Sequence, residues 1–277
     1  MPRIRVNGAD LYYEEQGKGT GGEAIVFAHG LLWSGSVFSR QIEALADRYR
    51  CVAFDFRGQG RSETTGAGYD METLAQDAAA LIEALDCAPC HFVGLSMGGF
   101  VGMRLAIDHP ELLRSLILLE SSADPEPPEN MGKYRRLSFV ARWLGLRLVA
   151  GPVMKIMFGT KFLNDPARSA LRRQWRRQML ANDRLGVTRA VLGVIARRGV
   201  YDRLGRIAVP TLVVVGDQDV ATVPARAERI HAGIAGSRLC VIAGAGPTST
   251  VEEPEAVNRA LADFLASLPR SGVPRRG

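Results

Sequence analysis

Gly94-Leu-Ser-Met-Gly98 holds a serine between two glycines in the G-x-S-x-G pattern. In that pattern the serine is carried on a sharp strand-to-helix turn and its hydroxyl is presented as a nucleophile. The pattern alone is common; its setting, between an apolar strand-like run and an amphipathic helix-like run, makes it specific. The start of the following helix aims free N–H groups and a positive dipole end at the place where negative charge would develop. Gly94, Gly98 and Gly99 leave room for strand and helix to pass closely. Upstream, Ala28-His29-Gly30-Leu31 ends another strand-like run in a tight turn. The backbone N–H groups of Leu31 and Met97 are therefore expected to converge on Ser96 as an oxyanion hole. His29 is read as a structural residue of that turn rather than a base. With Leu32, it is placed at the edge of the substrate site.

A serine hydroxyl is a poor nucleophile until a nearby base takes its proton, and the same base must later protonate the leaving group. The sequence offers four histidines: His29, His91, His109 and His231. His91 falls in a strand, His109 ends a helix before Pro110, and His231 lies inside a helix that should point it away from Ser96. None is a persuasive base. Two acids, Asp217 and Asp219, follow the apolar run that starts at Pro210.

The elements that must position these residues alternate along the chain. Eight β-rich runs, from Ile4–Val6 to Leu239–Ile242, are separated by segments with apolar residues at helical spacing. That alternation predicts an α/β fold: a doubly wound, mostly parallel eight-stranded sheet with helices on both faces. The first two runs, joined across Asn7-Gly8, are expected to form a hairpin. Residues 1–123 and 207–268 form the core. Residues 124–206 hold no convincing strand, open on the loop Asp124-Pro-Glu-Pro-Pro-Glu-Asn130, and are read as an inserted helical lid. Residues 269–277 are read as a disordered tail.

With these residues in hand, the chain resembles the α/β-hydrolase family over nearly its whole length. The resemblance rests on the His29-Gly30 turn, the elbow, Asp55-Phe-Arg-Gly-Gln-Gly-Arg-Ser62, and Pro210-Thr-Leu-Val-Val-Val-Gly-Asp-Gln-Asp219. It implies that Asp219, at the fourth position of G-x-x-D, is the catalytic acid and that Asp217 is a turn residue. It also implies a histidine after the last strand, where Ile242-Ala-Gly-Ala-Gly-Pro-Thr-Ser-Thr-Val-Glu-Glu-Pro254 instead has Pro247. Proline has no titratable group, so ordinary triad hydrolysis is not supported; in a comparable enzyme, losing the histidine costs on the order of 10⁶ in turnover. Three readings stay open: an altered hydrolase, a non-hydrolytic enzyme of the cyclase or lyase kind, and a binding protein with a retired site. Without an imidazole to orient, Asp219 is expected to bond Thr248, Ser249 or backbone N–H groups, or to take up a water.

Composition narrows the remaining classes. A 277-residue chain that is 47% hydrophobic can bury one sizeable core. Its net charge of +6 comes almost wholly from arginine. The arginines at 172, 173, 176 and 177 are interleaved with Trp175 alone and read as a solvated helix face, not a nucleic-acid surface. The most apolar long stretch, Leu137–Phe158, is interrupted by Arg142, Arg147 and Lys155, which argues against a membrane span. Met1–Gly8 has no apolar core of a secretory signal, and the cytoplasm is the expected compartment. Cys87-Ala-Pro-Cys-His91 formally matches a haem-attachment pattern. In a turn leading into a strand it reads as two reduced thiols, as do Cys51 and Cys240. Met131, Phe139, Trp143, Leu144, Met154, Met157 and Phe158 are expected to form an apolar roof over the site. A small or medium apolar ester or lactone would suit that roof. No metal or organic cofactor is implied, a serine nucleophile argues against dehalogenase or epoxide-hydrolase chemistry, and oligomeric state is not legible.

Overall fold

A computed structural model of the chain describes residues 2–17 and 23–269. The expected tail therefore lies, from residue 270 onward, outside the described residues. The first two strands, β1 (Arg3–Val6) and β2 (Ala9–Gln16), pair antiparallel across Asn7 and Gly8, both at positive φ. A two-residue turn of this twist is what a tight hairpin requires. Six further strands follow: β3 (Ala24–Ala28), β4 (Arg50–Phe54), β5 (Cys90–Leu95), β6 (Leu113–Leu119), β7 (Thr211–Gly216) and β8 (Arg238–Ile242). They form one eight-stranded sheet in the order β1-β2-β4-β3-β5-β6-β7-β8. Its pairs are parallel from β4 to β8, and β1 and β2 are antiparallel additions at one edge.

Strand side chains alternate between two cores, as a period of two demands. On β3, Ala24, Val26 and Ala28 join one cluster and Ile25 and Phe27 the other. The first core is closed by α2 (Met71–Ala84) and α3 (Met97–Asp108), and later in the chain by α9. The second is closed by α1 (Ser39–Leu45) and by the C-terminal α11. Five helices intervene between β6 and β7: α4 (Pro128–Leu144), α5 (Leu146–Met157), α6 (Thr160–Asn164), α7 (Ser169–Leu180) and α8 (Arg184–Ile195). Their apolar residues, among them Val149, Phe158 and Trp175, join the second core. The chain finishes with α9 (Pro224–Gly233), the single turn α10 (Ser249–Glu252) and α11 (Pro254–Ala266). Among the described residues no helix is long and apolar enough to cross a membrane.

Candidate active site

Every residue of β5 is buried, and the chain leaves it through Ser96 at φ 48°, ψ −106°. A non-glycine residue held there stores about 1–3 kcal/mol of strain, so the surroundings must enforce it. Ser96 N–H donates to Leu119 O at 2.8 Å, while Ser96 O accepts from Gly99 N at 2.8 Å and Phe100 N at 3.0 Å. The Ser121 hydroxyl adds a third donor to that carbonyl at 3.1 Å. A Cβ at Gly98 would lie 2.0 Å from Ala28 O, so only glycine lets α3 start against β3. The Ser96 hydroxyl makes no hydrogen bond to any described residue and stays partly exposed.

Neither Leu31 N–H nor Met97 N–H finds an acceptor among the described residues. The turn that carries Leu31 is fastened from below. His29 Nδ1 lies 2.7 Å from Gly30 O, Phe56 N–H donates to His29 Nε2 at 3.0 Å, and Leu32 N–H donates to Gln59 Oε1 at 2.7 Å. These partners assign the neutral ring with its proton on Nδ1, and burial pushes the His29 pKa below its usual value. His29 is fully buried and does not border the cavity, which corrects its placement at the substrate edge. Its contribution is to hold the loop from Asp55 to Ser62 against the turn. Within that loop a buried Arg57–Asp77 pair and the Asp55 carboxylate, which accepts from Gly35 N–H and Arg61 N–H, fix the backbone.

Ser96, Leu31, Leu32, Met97 and Met157 border one mostly apolar cavity that is partly open to solvent. Tyr134, Leu137, Ser138 and Ala141 line it from α4 at spacings of three and four, one face of a helix. That register turns Phe139 and Trp143 outward, 63% and 64% exposed, while Leu144, on the cavity's face but at the last position of α4, is 65% exposed. They are not part of a roof. Met154 and Phe158 are buried but border a different depression beside Arg172. There Phe158 stacks on Phe162 with ring centroids 4.5 Å apart and contacts Trp33 at 5.6 Å. Among the expected apolar contacts on the inserted helices, Met157 alone faces Ser96's cavity.

The acid side is built differently. Asp219, just beyond β7, is 3% exposed, and burial raises its pKa above the usual carboxylate value. Its Oδ1 accepts from Ala221 N–H and Thr222 N–H, both at 2.8 Å, and its Oδ2 accepts from the Thr222 hydroxyl at 2.6 Å. Backbone donors and Thr222 therefore satisfy it, while Thr248 and Ser249 do not bond it. Ala221 and Thr222 face the same cavity as Ser96. Asp217 accepts from Gly244 N–H at 2.7 Å, tying the β7 turn to the loop after β8. In that loop Pro247 is buried and does not border the cavity. Its missing N–H costs nothing locally: the Gly246 and Thr248 N–H groups on either side both donate to Glu252, at 3.1 and 3.0 Å. All four histidines are engaged elsewhere, with His91 on Ser115, His109 beside Glu111 and His231 on Ser237.

Three residues that sequence reasoning missed complete this region. Glu120 follows β6 at φ 43°, is fully buried, and neither carboxyl oxygen makes a well-formed hydrogen bond, although the Ser249 hydroxyl and Gly216 N–H lie beside it. Burial, reinforced by the charge of Asp219, pushes its pKa well above the usual carboxylate value. Glu252 also accepts from Gly159 N–H at 2.9 Å; burial, outweighing its backbone donors, pushes its pKa up to about 7. Arg197, at the end of α8, reaches the cavity from the inserted segment. Cys87 and Cys90 are free and buried, and burial raises both pKa values, the opposite of an activated thiolate.

Comparison with known proteins gives this geometry a context. A family model for the alpha/beta hydrolase fold matches residues 23–254. A Variovorax paradoxus protein, provisionally named carbamate hydrolase RutD, is 31% identical over 271 residues, covering 95% of this chain and 99% of that protein. The enol-lactonase of Burkholderia xenovorans superposes with a TM-score of 0.89 at 28% identity, covering 96% of this chain and 100% of that one. A thermophilic esterase from Thermogutta terrifontis superposes with a TM-score of 0.88, also at 28% identity, covering 96% and 98%.

Proposed function

The chain belongs to the α/β-hydrolase fold family, and from that premise we propose that it handles a small or medium apolar carboxylic ester or lactone through Ser96. The observation that carries this reading is the strained Ser96 turn with two free N–H groups beside it, opening on an apolar cavity. In this reading Ser96 Oγ attacks the acyl carbon and the Leu31 and Met97 N–H groups hold the oxyanion. Asp219 is the family's acid, and Pro247 occupies the position of its base. Helices α4 to α8, within residues 124–206, act as a lid over a core made of residues 1–123 and 207–268. The ligand is a small molecule met in the cytoplasm, with no cofactor needed for this chemistry.

With no imidazole bonded to Ser96, hydrolysis is slow: about 10³–10⁴ over water is what an oxyanion hole and binding supply without a functioning triad. The test uses short-chain aryl esters with the unaltered chain, Pro247→His and Ser96→Ala. A gain of about 10²-fold or more in Pro247→His, abolished by adding Ser96→Ala, supports a hydrolase impaired at one position. The satisfied state of Asp219 favours a second reading, in which the same cavity serves a non-hydrolytic reaction or simple binding. No gain in Pro247→His, with a ligand held tightly in the cavity, supports that one.

A further inference from the structure

The cavity beside Ser96 is apolar on most of its wall, yet one end of it is charged. Arg197 is 7% exposed and borders the cavity together with Glu126 and Tyr134. Three of its contacts are spoken for. Nη1 donates to Glu126 Oε2 at 2.7 Å and to Val194 O at 2.9 Å, and Nε donates to Asp124 O at 3.2 Å. The guanidinium lies 4.3 Å above the Phe100 ring, which fixes its plane. Nη2 has no acceptor among the described residues, and neither does the Tyr134 hydroxyl. A guanidinium N–H with no protein acceptor, on a wall that is otherwise apolar, is a ready donor to a polar atom that enters the cavity.

Its position relative to the chemistry follows from α3. Phe100 N–H donates to Ser96 O, so the ring beneath Arg197 stands one helical turn, about 5 Å of rise, beyond the nucleophile. The charge balance decides what kind of acceptor fits. Glu126 pairs with Arg197, and the two other guanidiniums that act on it are paired as well, Arg104 with Glu72 and Arg226 with Asp124, so a ligand carboxylate would bring an unbalanced charge to this end of the cavity. An uncharged oxygen meets the free N–H without that imbalance. Resting on Ser96 as the residue that faces the acyl carbon, we infer that Arg197 is a specificity residue for a second, uncharged carbonyl oxygen carried on the acyl chain a few bonds from the reacting one. The ligand class is thus an oxo-acyl ester or lactone rather than a plain alkyl ester. A site built to hydrogen-bond such an oxygen discriminates strongly against an analogue that lacks it, because its own donor is then left unpaired.

The inference is tested by calorimetric titration of the full chain, and of Ser96→Ala to remove turnover, with methyl hexanoate, its 3-oxo, 4-oxo and 5-oxo derivatives, and monomethyl adipate. The expected result is that one oxo ester binds at least about tenfold more tightly than methyl hexanoate, in both proteins. Arg197→Lys keeps the charge but loses the planar fork, and should erase that advantage while methyl hexanoate binds as before. If Arg197→Lys does not fold, Arg197→Met combined with Glu126→Gln removes the donor without leaving a buried charge unpaired. Equal binding of plain and oxo esters, or the same preference in the Arg197 variants, overturns the inference and leaves the role of Ser96 intact. Tightest binding by monomethyl adipate overturns it in favour of an anionic ligand. Failure of every ester to bind overturns both the inference and the reading of Ser96 on which it rests.

Discussion

The two flanks of the Ser96 cavity are built on opposite principles. On the elbow flank, close backbone packing does everything: glycine at 98, a strained serine, N–H groups left free, and a buried neutral histidine beneath the turn. On the acid flank, side chains do everything. Asp219 is closed on Thr222 and Glu252 gathers three N–H groups, with the fully buried Glu120 under the influence of both charges. The first flank is kept open towards a reacting group, whereas on the second Asp219 and Glu252 are satisfied by neighbouring donors and Glu120 is left without a well-formed one among the described residues. The difference teaches how a proline at 247 is accommodated: Glu252 clamps the N–H groups on either side of it, and the nucleophile turn is held by its own hydrogen bonds.

The largest expected effect breaks the elbow flank. Gly98→Ala would put a methyl group 2.0 Å from Ala28 O, a backbone atom that cannot move without displacing β3. A loss of about 3 kcal/mol or more in unfolding free energy is expected, at the upper end of overpacking costs. Urea unfolding measures it, and residual aryl-ester turnover should be lost in parallel. A variant within about 1 kcal/mol of the parent that keeps that turnover would mean the close approach is not what holds the turn.

An intermediate effect sharpens the acid flank through pH. Glu252 in the folded chain has a pKa of about 7, above the ordinary carboxyl value of 4.5. Folding thus favours its protonated form, so its stabilising contribution is complete below about pH 4.5 and is lost as pH rises towards and through 7. Roughly 3 kcal/mol should disappear across that window, as follows from a raised pKa of this size. Glu252→Gln forfeits part of the N–H clamp and should be weaker than the parent at pH 5. The gap between the two proteins should then close by roughly the Glu252 contribution between pH 5 and 8, because only the parent loses it. Parallel curves for the two proteins would show that Glu252 does not titrate in that range.

Most of the fold was legible because its strands are continuous aliphatic runs between glycine- and proline-marked turns, and the elbow because strand, serine and glycines stand together in sequence. The acid flank was not. Glu120 and Glu252 look like surface residues in a linear sequence, since nothing local says that Glu120 ends its strand at positive φ or that three amides converge on Glu252. Nothing local sets Arg197 apart among the many arginines of residues 124–206, although an arginine just after the apolar run from Ala190 to Ile195 is a signal. Trp143 misled because apolar residues recur on both sides of α4, and only tertiary packing chose the face with Tyr134 and Ala141.

The smallest effect is the most telling about the comparison. In a working triad the acid orients an imidazole, and replacing it with the amide costs about 10⁴ in turnover. Here Asp219 has no imidazole to orient, and its oxygens are taken by Thr222 and Ala221. Asparagine keeps Oδ1 for the two backbone donors, and the Thr222 hydroxyl can turn to accept from the new amide. Asp219→Asn should therefore change residual aryl-ester turnover by less than about threefold and stability by about 1 kcal/mol at most, since a buried charge is removed along with a charge-assisted bond. Introduced together with Pro247→His, the same substitution should cost about 10²-fold or more, because an imidazole at 247 would again need its partner. The double-mutant cycle over Asp219 and Pro247 measures the difference. Equal effects of Asp219→Asn in both backgrounds would show that the two flanks are not coupled through position 247 at all.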